Sequence, residues 1–329
     1  MDRRGILSSL GATALAALAG APATGHAQPA SGRPTRFVVG YPAGGVADFA
    51  ARTVVEAMNQ TGASTAIVEN RVGAAANIAM EYVARQPADA GVYGVFANSL
   101  LTTNAFVPQL MARNADPFKD MVPVMAISDM VLVLAVGAHL EIRTLDEFLA
   151  KARAPGARMR IGLAGVGTPH HLAALLLERT AALDLTLVPY KGGAPMMADA
   201  AGGHVDAVFT SIPVGGAMVA AGKMRWIAVV QPTAVQSLPG IPSLVPVFKG
   251  ATIPSWIGAY APAATPAHTV QAMHEAMGRV VNSPGVAAKL RANGLEPLNL
   301  SLADTRQRID EEAAFMKDFL SKIKLDFAT

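Results

Sequence analysis

The stretch Phe37–Asp48, which reads FVVGYPAGGVAD, contains the signal from which the fold can be inferred. An apolar, β-branched run ends in a Pro/Gly turn, and an alanine-rich amphipathic segment follows it. This order predicts a strand, a tight loop and a helix. Gly44 and Gly45 carry no side chains where the chain enters the helix, so backbone N–H groups there can face a bound atom.

A second copy of this pattern lies between Arg160 and His171, which reads RIGLAGVGTPHH. The first turn of a helix has unpaired N–H groups and a partial positive charge, so it attracts anions. Either glycine pair could simply permit a turn, but the recurrence in each half of the chain favours binding. Two glycine-lined helix starts therefore predict two lobes that hold one small anion between them.

Strand and helix signals alternate through the rest of the chain. This alternation predicts an α/β fold with parallel strands and with helices on both faces of each sheet. A continuous apolar run from Met130 to Val136 predicts a central strand at a crossing point between the lobes. Ser301 supplies the N-cap of a final helix.

The order of these signals also predicts the domain organisation, because residues 255–262 read as a strand that returns to the first lobe. We expect lobe 1 at residues 34–131 plus 255–329 and lobe 2 at residues 132–254. The two doubly wound lobes are then joined by two crossings, which form a two-stranded hinge.

The N-terminus has the features of a secretory signal peptide. Arg3 and Arg4 precede an apolar stretch over residues 5–21, and Gly25-His26-Ala27 offers small residues at a plausible cleavage site. This pattern predicts a signal peptide at residues 1–27, cleaved near Ala27, and export of the rest of the chain. The paired arginines fit a general secretory signal and a twin-arginine signal.

Composition excludes several classes of partner. The formal charge is only +3 over 329 residues, basic residues are scattered, and aromatic residues make up 5%, so we expect no nucleic-acid binding. The chain has no cysteine, which excludes disulfides and thiolate metal ligands. We expect no metal and no cofactor. Nothing in the pattern indicates an oligomer seam, so we expect a monomer.

Six motifs resemble those of one known family. They are Tyr41-Pro42-Ala43-Gly44-Gly45-x-x-Asp48, Glu69-Asn70-Arg71-x-Gly73-x-x-x-Asn77-Ile78, Gly165-x-Gly167-Thr168-x-x-His171-Leu172-Ala173, Val188-Pro189-Tyr190-Lys191-Gly192, Gly202-Gly203-x-Val205-Asp206 and Ala221-Gly222-Lys223. Together they resemble the Bug (TctC-type) solute-binding proteins of tripartite tricarboxylate transporters. The resemblance runs from about residue 34 to about residue 320.

This resemblance implies a type II periplasmic-binding-protein fold with a cleft for a small carboxylate or related small anion. In that family, main-chain amides and ordered waters hold the ligand carboxylate, and the corresponding loops here are Tyr41–Asp48 and Gly165–Thr168. The implied partner is the set of membrane permease subunits of the transporter.

The chain departs from the family pattern at three places. Residues 72–76 read VGAAA where the family usually has PGAGG, and residues 209–211 read FTS where it usually has Phe-Asp-Asn. His170 stands where glutamine is common. The changes at His170 and Thr210 are expected to touch the cleft.

The candidate ligand-binding residues combine the two loops with nearby polar groups. They are Tyr41, Ala43, Gly44, Gly45, Asp48, Ser99, Gly165, Gly167, Thr168, His170 and Thr210. Asp48 can stabilise the helix start by about 0.3–1 kcal/mol, or recognise an amine or hydroxyl group of the ligand. Thr168 can cap its helix and donate to a carboxylate. Ser99 follows a parallel strand, where open α/β sheets bind ligands.

The two adjacent histidines point about 100° apart on a helix, so they cannot chelate one ion. We expect His171 to be packed and hydrogen-bonded, whereas His170 reads equally well as a packed residue or as a cleft residue. Lys191 is expected to be a solvated loop residue.

The function expected from these observations is a periplasmic receptor, not an enzyme, that closes on a small organic carboxylate and delivers it to a permease. One alternative is a receptor subunit that binds the same ligand but docks on a signalling partner. Another is an exported α/β hydrolase, but the sequence has no Gly-x-Ser-x-Gly, no His-Glu-x-x-His and no cysteine nucleophile.

Overall fold

Two mixed β-sheets with helices on both faces make up the part of the chain that the computed structural model describes, residues 34–62, 65–190, 192–232 and 235–322. The predicted signal peptide and Lys191 lie outside these residues. The strands are β1 (Thr35–Val39), β2 (Ala66–Asn70), β3 (Val92–Ala97), β4 (Met121–Met130), β5 (Leu132–Gly137), β6 (Met159–Leu163), β7 (Leu185–Pro189), β8 (Ala207–Ser211), β9 (Met224–Val229), β10 (Trp256–Pro262) and β11 (Leu295–Pro297). The helices are α1 (Val46–Gln60), α2 (Asn77–Ala84), α3 (Pro117–Asp120), α4 (Leu145–Ala152), α5 (Pro169–Ala181), α6 (Gly193–Ala201), α7 (Ile212–Ala220), α8 (Ala267–Val281), α9 (Pro284–Arg291) and α10 (Leu302–Ser321).

The first sheet has the strand order β11-β4-β10-β3-β1-β2. Its side chains alternate between two apolar layers, as the period of a strand requires. Phe37 and Val39 pack with α1 and α8, whereas Val38 packs on the other face with α2. Burial of a side chain of this size contributes about 1.5–3 kcal/mol relative to exposure.

The second sheet has the order β7-β6-β8-β5-β9. Helices α4 and α5 pack with residues of one face, and α6 packs with residues of the other. Both sheets are therefore covered on both sides, and the prediction of an α/β fold with two doubly wound layers is confirmed.

The central strand predicted over Met130–Val136 is present as β5, but it begins two residues later, and the chain changes sheets directly before it. β4 ends at Met130 in the first sheet, and β5 begins at Leu132 in the second. Val131 between them donates its N–H to Gly294 O at 3.0 Å and belongs to neither strand. The apolar run hides this break because Met130 and Val131 are as apolar as the fully buried β5 that follows, so composition does not change where the chain changes sheets.

The prediction of parallel pairing holds for only part of each sheet. β1 is parallel to β2 and β3, and β6 is parallel to β7 and β8. β10 is antiparallel to β3 and β4, and β5 is antiparallel to β8 and β9. The reason is topological. β5 and β10 arrive from the other sheet at the edge where β8 and β3 end, so each must run in the opposite direction.

The final helix packs against both sheets. Ile309 lies in an apolar cluster with residues of the first sheet, whereas Met316 and Phe319 lie in the main cluster of the second. α10 is thus a third connection between the two sheets, beside the two crossings of the chain. Among the described residues, no helix combines the length and apolar content needed to cross a lipid bilayer.

Candidate functional site

The loop between β1 and α1 is built on a glycine turn. Gly44 has φ +80°, a backbone conformation that glycine adopts far more readily than other residues. Gly45 is the N-cap of α1, and it supplies no side-chain hydrogen bond to the first turn. Ala43 and Gly44 are exposed. The helix therefore begins with backbone donors that have no side-chain cap from the preceding residue.

Asp48 holds this loop from the inside. Its side chain is 2% exposed, and Oδ2 accepts from Gly44 N at 2.8 Å and from Arg52 Nε at 2.9 Å. Oδ1 accepts from Asn70 Nδ2 at 2.8 Å, and the same nitrogen donates to Tyr41 O at 3.0 Å. Burial by itself raises the pKa of Asp48, but the hydrogen bonds from Arg52, Gly44 and Asn70 outweigh it and hold the pKa below its ordinary value. Asp48 is therefore ionised, and both of its oxygens are engaged within the protein.

Tyr41 and Ser99 are brought together from two neighbouring strands. Ser99 lies in a short 3₁₀ turn, Asn98–Leu100, directly after β3. The Tyr41 hydroxyl lies beside the Ser99 side chain and the Ala97 backbone; burial raises its pKa, and these two hydrogen-bonding groups offset part of that rise. The loop after β1 and the turn after β3 thus form one polar group at the end of the first sheet.

In the loop between β6 and α5, polar groups of the loop bond to one another and to the first turn of α5. Gly165 and Gly167 have φ +136° and φ +76°. Thr168 Oγ1 donates to Gly165 O at 2.8 Å and, as the N-cap, accepts from His171 N at 3.4 Å. Gly167 N donates to His171 Nδ1 at 3.0 Å, so this amide is engaged by the protein itself. The prediction that His171 is a packed, hydrogen-bonded residue is confirmed.

His170 and Thr210 each have a buried polar atom without a hydrogen-bond partner among the described residues, namely Nδ1 and Oγ1. Burial lowers the pKa of His170 to about 4, so its ring is neutral at pH 7. Thr210 is fully buried, and a Cβ on Gly215 would approach Thr210 Cγ2 to 3.0 Å and Trp226 more closely still. His170 thus lies in the first turn of α5, directly after the glycine loop, whereas Thr210 is buried against α7.

The strand register places the first loop at the edge of the first sheet from which the chain crosses to the second sheet. β1 and β3 are parallel, so their carboxyl ends share an edge. Ala97, which ends β3, pairs with Ile257 of antiparallel β10, and Trp256 pairs with Asp129 near the end of β4. The crossing therefore leaves from the same edge that carries Tyr41 and Ser99.

The second loop lies at the corresponding edge of the second sheet. Leu132 begins β5 and pairs with Ser211, the last residue of antiparallel β8. β8 is parallel to β6, so the loop after β6 lies at that edge also. Since Val131 alone separates β4 from β5, the crossing joins the two edges that carry the glycine loops.

Sequence reasoning missed the residues that organise these loops. Asn70 belongs to the Glu69-Asn70-Arg71 motif but was not a candidate, although it links Tyr41 to Asp48. Asn98 precedes Ser99, is 1% exposed, and accepts from Trp256 N at 3.1 Å. An asparagine at the end of a strand was the available signal, because its amide can bond to two backbone segments at once.

The VGAAA departure forms a strained turn beside the first loop. Ala74, Ala75 and Ala76 have φ of +46°, +53° and +75°. A left-handed conformation costs an L-residue roughly 1–2 kcal/mol. Asn104 Nδ2 donates to Ala75 O at 2.9 Å and secures the turn, and a Cβ on Gly40 would lie 2.4 Å from Ala76 Cβ. The turn therefore packs directly against the start of the glycine loop.

Comparison with known proteins identifies the family. Residues 50–325 match the model described as the tripartite tricarboxylate transporter family receptor, TctC. Protein BugT of Bordetella pertussis is 26% identical over 319 residues, which are 95% of this chain and 95% of that protein.

Within the described residues, no group of His, Asp and Glu side chains could hold a metal ion.

Two solved structures share the architecture. R. palustris Rpa4515 with adipate has a TM-score of 0.77 and 27% identity, over 88% of this chain and 96% of that chain. MatC from Rhodopseudomonas palustris with bound malate has a TM-score of 0.71 and 24% identity, over 87% and 98% of the two chains, and shows the same fold. The matched family is a family of transporter receptors, which sets the hydrolase alternative aside. The chain belongs to the tripartite tricarboxylate transporter receptor family (TctC, Bug-type), has the type II periplasmic-binding-protein fold, and is a solute-binding protein and not an enzyme.

Proposed function

We propose that this chain binds a small organic carboxylate between the loops 41–48 and 165–168 and delivers it to the permease subunits of a tripartite tricarboxylate transporter. Two observations carry the proposal. Each loop leads directly into a helix, and the sheet edges that bear the two loops are joined by one crossing of the chain at Val131. Each helix start supplies roughly half a positive charge. A carboxylate bound between them would neutralise both, and closure around it would exclude water and strengthen each bond.

The proposed site depends on backbone charge more than on cationic side chains. Arg52 is the cation next to the first loop, and its guanidinium is engaged by Asp48 and by Asn70 Oδ1 at 3.0 Å. His170 is neutral at pH 7, so it offers a hydrogen bond without charge. Gly44 N and Gly45 N already donate to Asp48 Oδ2 and Pro42 O, so we propose that these two glycines shape the turn and that the main chain of Tyr41 and Ala43, with the start of α1, is the anion-binding element of the first lobe.

The remaining candidates have different proposed roles. Ser99 presents its hydroxyl group to the carboxylate, whereas Thr168, whose hydroxyl donates to Gly165 O, shapes the second loop together with Gly165 and Gly167. Asp48 acts through the loop, because its oxygens are already paired. An unpaired buried polar group costs about 1–3 kcal/mol, so a bond from the ligand or a bound water to His170 or Thr210 would recover part of that cost.

Two structural relatives support a dicarboxylate as the ligand class, since Rpa4515 was solved with adipate and MatC with malate. We further propose lobes at 34–131 plus 255–329 and at 132–254, a monomer, and export to the periplasm after cleavage near Ala27.

Thermal unfolding of the exported chain in the presence of adipate and malate tests the proposal. A ligand at about 100 times its Kd should add roughly 2.7 kcal/mol of apparent stability. Adipamide, which has the same carbon skeleton but no charge, should add none. If neither acid raises Tm above the effect of an equal concentration of chloride, a dicarboxylate is not the ligand.

A matched pair of glycine variants locates the site. Gly44→Ala and Gly156→Ala each place an alanine at a positive φ, +80° and +75°, with nothing within 4 Å of the new Cβ. Both should lose about 1 kcal/mol of stability from backbone strain. Only Gly44→Ala should also weaken carboxylate binding, because it disturbs the amides of the first loop. Equal Kd values for the two variants would place the ligand elsewhere.

A further inference from the structure

The carboxylate of Glu312, on α10, makes bonds to three separate parts of the chain. Oε2 accepts from Trp256 Nε1 at 2.7 Å and from Asn98 Nδ2 at 3.3 Å. Oε1 accepts from Arg308 Nε at 2.7 Å. Asn98 and Trp256 are each 1% exposed, so these bonds lie in the protein interior.

The partners of Glu312 lie where the Ser99 turn, Asn98–Leu100, meets the two crossings of the chain between the sheets. Asn98 begins the 3₁₀ turn that carries Ser99, and its Oδ1 accepts from Trp256 N, the first residue of β10. Arg308 Nη2 donates to Asp129 Oδ1 at 2.7 Å, one residue before β4 ends. The Glu312 carboxylate thus bonds directly to the Ser99 turn and to β10, and it is linked through Arg308 to β4.

The helix that carries Glu312 is also the one that packs against both sheets. Ile309 lies in the core of the first sheet, and Met316 and Phe319 lie in the core of the second. A rotation of one sheet relative to the other about the crossings must therefore move α10 relative to at least one of them. Glu312 lies between these two anchors, so its bonds are placed to respond to that rotation.

We propose that Glu312 is a positioning residue that couples the Ser99 turn to the hinge, so that ligand binding at the turn and closure of the lobes are linked. This inference rests on the function proposed above. Hydrogen-bond networks of this kind stabilise a single arrangement of their members. Glutamine at position 312 has one acceptor oxygen in place of two. If that oxygen keeps the bond from Arg308, the Trp256 indole N–H and the Asn98 amide lose their acceptor; if it keeps those two bonds, the new NH2 group faces the Arg308 guanidinium, donor against donor. In either arrangement the link between the Ser99 turn and α10 is weakened.

Glu312→Gln and Asp206→Asn are a matched pair for the test. The side chains of Glu312 and Asp206 are both 14% exposed, and both carboxylates accept hydrogen bonds from an arginine. Asp206 bonds to Arg160 in the second sheet and has no bond to the Ser99 turn. A general loss of stability affects both variants, whereas a positioning role affects only Glu312→Gln.

The first measurement needs no ligand. Hydrogen exchange of the amides of Leu101, Thr102 and Asn104 reports on the turn, because they donate to Asn98 O and Ser99 O. We expect faster exchange at these amides in Glu312→Gln and wild-type exchange in Asp206→Asn. Unchanged exchange in Glu312→Gln overturns the proposal, whatever the protein binds.

The second measurement uses whichever of adipate or malate raises Tm in the wild type. We expect Kd to rise about tenfold in Glu312→Gln and to change less than about twofold in Asp206→Asn. In a Trp226→Phe background, ligand should change the emission of Trp256, and Glu312→Gln should abolish that change. A Kd unaffected by Glu312→Gln overturns the coupling. If neither acid binds the wild type, the proposed ligand class fails, and the exchange measurement still decides the role of Glu312.

Discussion

At the residue scale, Asp48 shows how a buried charged side chain can hold a loop in place through hydrogen bonds within the protein. Its two oxygens collect bonds from Gly44 N, Arg52 and Asn70, which come from the loop, the helix and the next strand. A carboxylate so engaged has no lone pair in a good position for an ammonium group. Its effect on a ligand must therefore pass through the geometry of the Gly44 amide.

The Asp48→Asn substitution tests this role. An amide presents only one acceptor oxygen and no charge, so we expect a loss of about 1–3 kcal/mol in the free energy of unfolding at pH 7. Because the pKa of Asp48 is depressed in the folded state, its contribution is present above the ordinary aspartate value of about 3.9 and is lost as pH falls through the folded-state pKa. Urea unfolding from pH 7 to pH 2.5 should show the two proteins converging in acid.

Asp146→Asn is the control, since Asp146 is an exposed aspartate in the first turn of α4. We expect a change within about 0.5 kcal/mol. A difference between wild type and Asp48→Asn that stayed constant down to pH 2.5 would show that charge is not the source of the effect.

Ala75 lies at φ +53° and is exposed, so its methyl group adds strain without adding packing. Removal of a left-handed penalty of roughly 1–2 kcal/mol outweighs the extra chain entropy that glycine has when unfolded, about 0.5–1 kcal/mol. Ala75→Gly is therefore expected to raise the free energy of unfolding by about 0.5–1 kcal/mol, measured in urea. Ala288→Gly, at an exposed position of α9, should lower it by about 1 kcal/mol. The same sign for both substitutions would contradict the strain argument.

At the element scale, the start of α5 places two neutral histidines in one helical turn. Burial lowers the pKa of His170 and of His171 to about 4 from an ordinary value of 6.5. The unfolded chain takes up protons first as pH falls, so stability is full above pH 6.5 and is lost between 6.5 and 4. Each histidine contributes a slope of about 1.4 kcal/mol per pH unit in that window.

We expect His170→Gln to remove one of the two contributions. The wild-type loss of stability between pH 6 and pH 4.5 should become less steep by about 1.4 kcal/mol per pH unit. Chemical unfolding at half-unit pH intervals measures this slope. His268→Gln, at an exposed position of α8, should leave the slope as in the wild type. If His170→Gln and His268→Gln give the same slope, His170 is not buried in its neutral form.

Local signals predicted individual elements well and the connections between them poorly. The glycine turn and the amphipathic segment after it predicted a helix there, and the structure confirms it as α1 at residues 46–60. The Ser301 cap is confirmed too, with Asp304 N donating to Ser301 Oγ at 3.1 Å. β4 went unpredicted, and the strand predicted over 130–136 lies at Leu132–Gly137, because a buried strand has no alternation to mark its ends. Sheet membership depends on pairing between residues distant in sequence, which periodicity does not contain.

The same distinction holds for the candidate site, where local features were predicted and long-range contacts were not. The glycine positions could be predicted from backbone chemistry, and Gly44, Gly165 and Gly167 all have a positive φ, which favours glycine. The partners that engage the loops come from elsewhere in the chain, as when Asn70 reaches Asp48 across 22 residues. Sequence spacing could therefore locate the loops, but it could not show which of their polar groups the protein itself already uses.

At the scale of the whole molecule, α10 makes the two sheets depend on one another for stability. Its apolar face contributes Ile309 to one core and Met316 and Phe319 to the other. If either core melted alone, the helix would lose half of its packing and destabilise the remaining core. The two sheets should therefore unfold in a single transition, although each has its own apolar layers.

Substitution of Met316 by alanine is expected to break this cooperativity. Met316 is fully buried in the core of the second sheet, so the cavity should cost about 2–5 kcal/mol and free that end of α10. Trp226 lies in β9 of the second sheet and Trp256 in β10 of the first, so single-tryptophan variants report each sheet separately. The two emission transitions should coincide in urea for the wild type and separate in Met316→Ala, with Trp226 changing first. Met277→Ala makes a cavity at a fully buried methionine of α8 that packs only in the first sheet, so its two transitions should stay together at lower urea. Coincident transitions in Met316→Ala would show that the two crossings of the chain, without α10, hold the sheets in one cooperative unit.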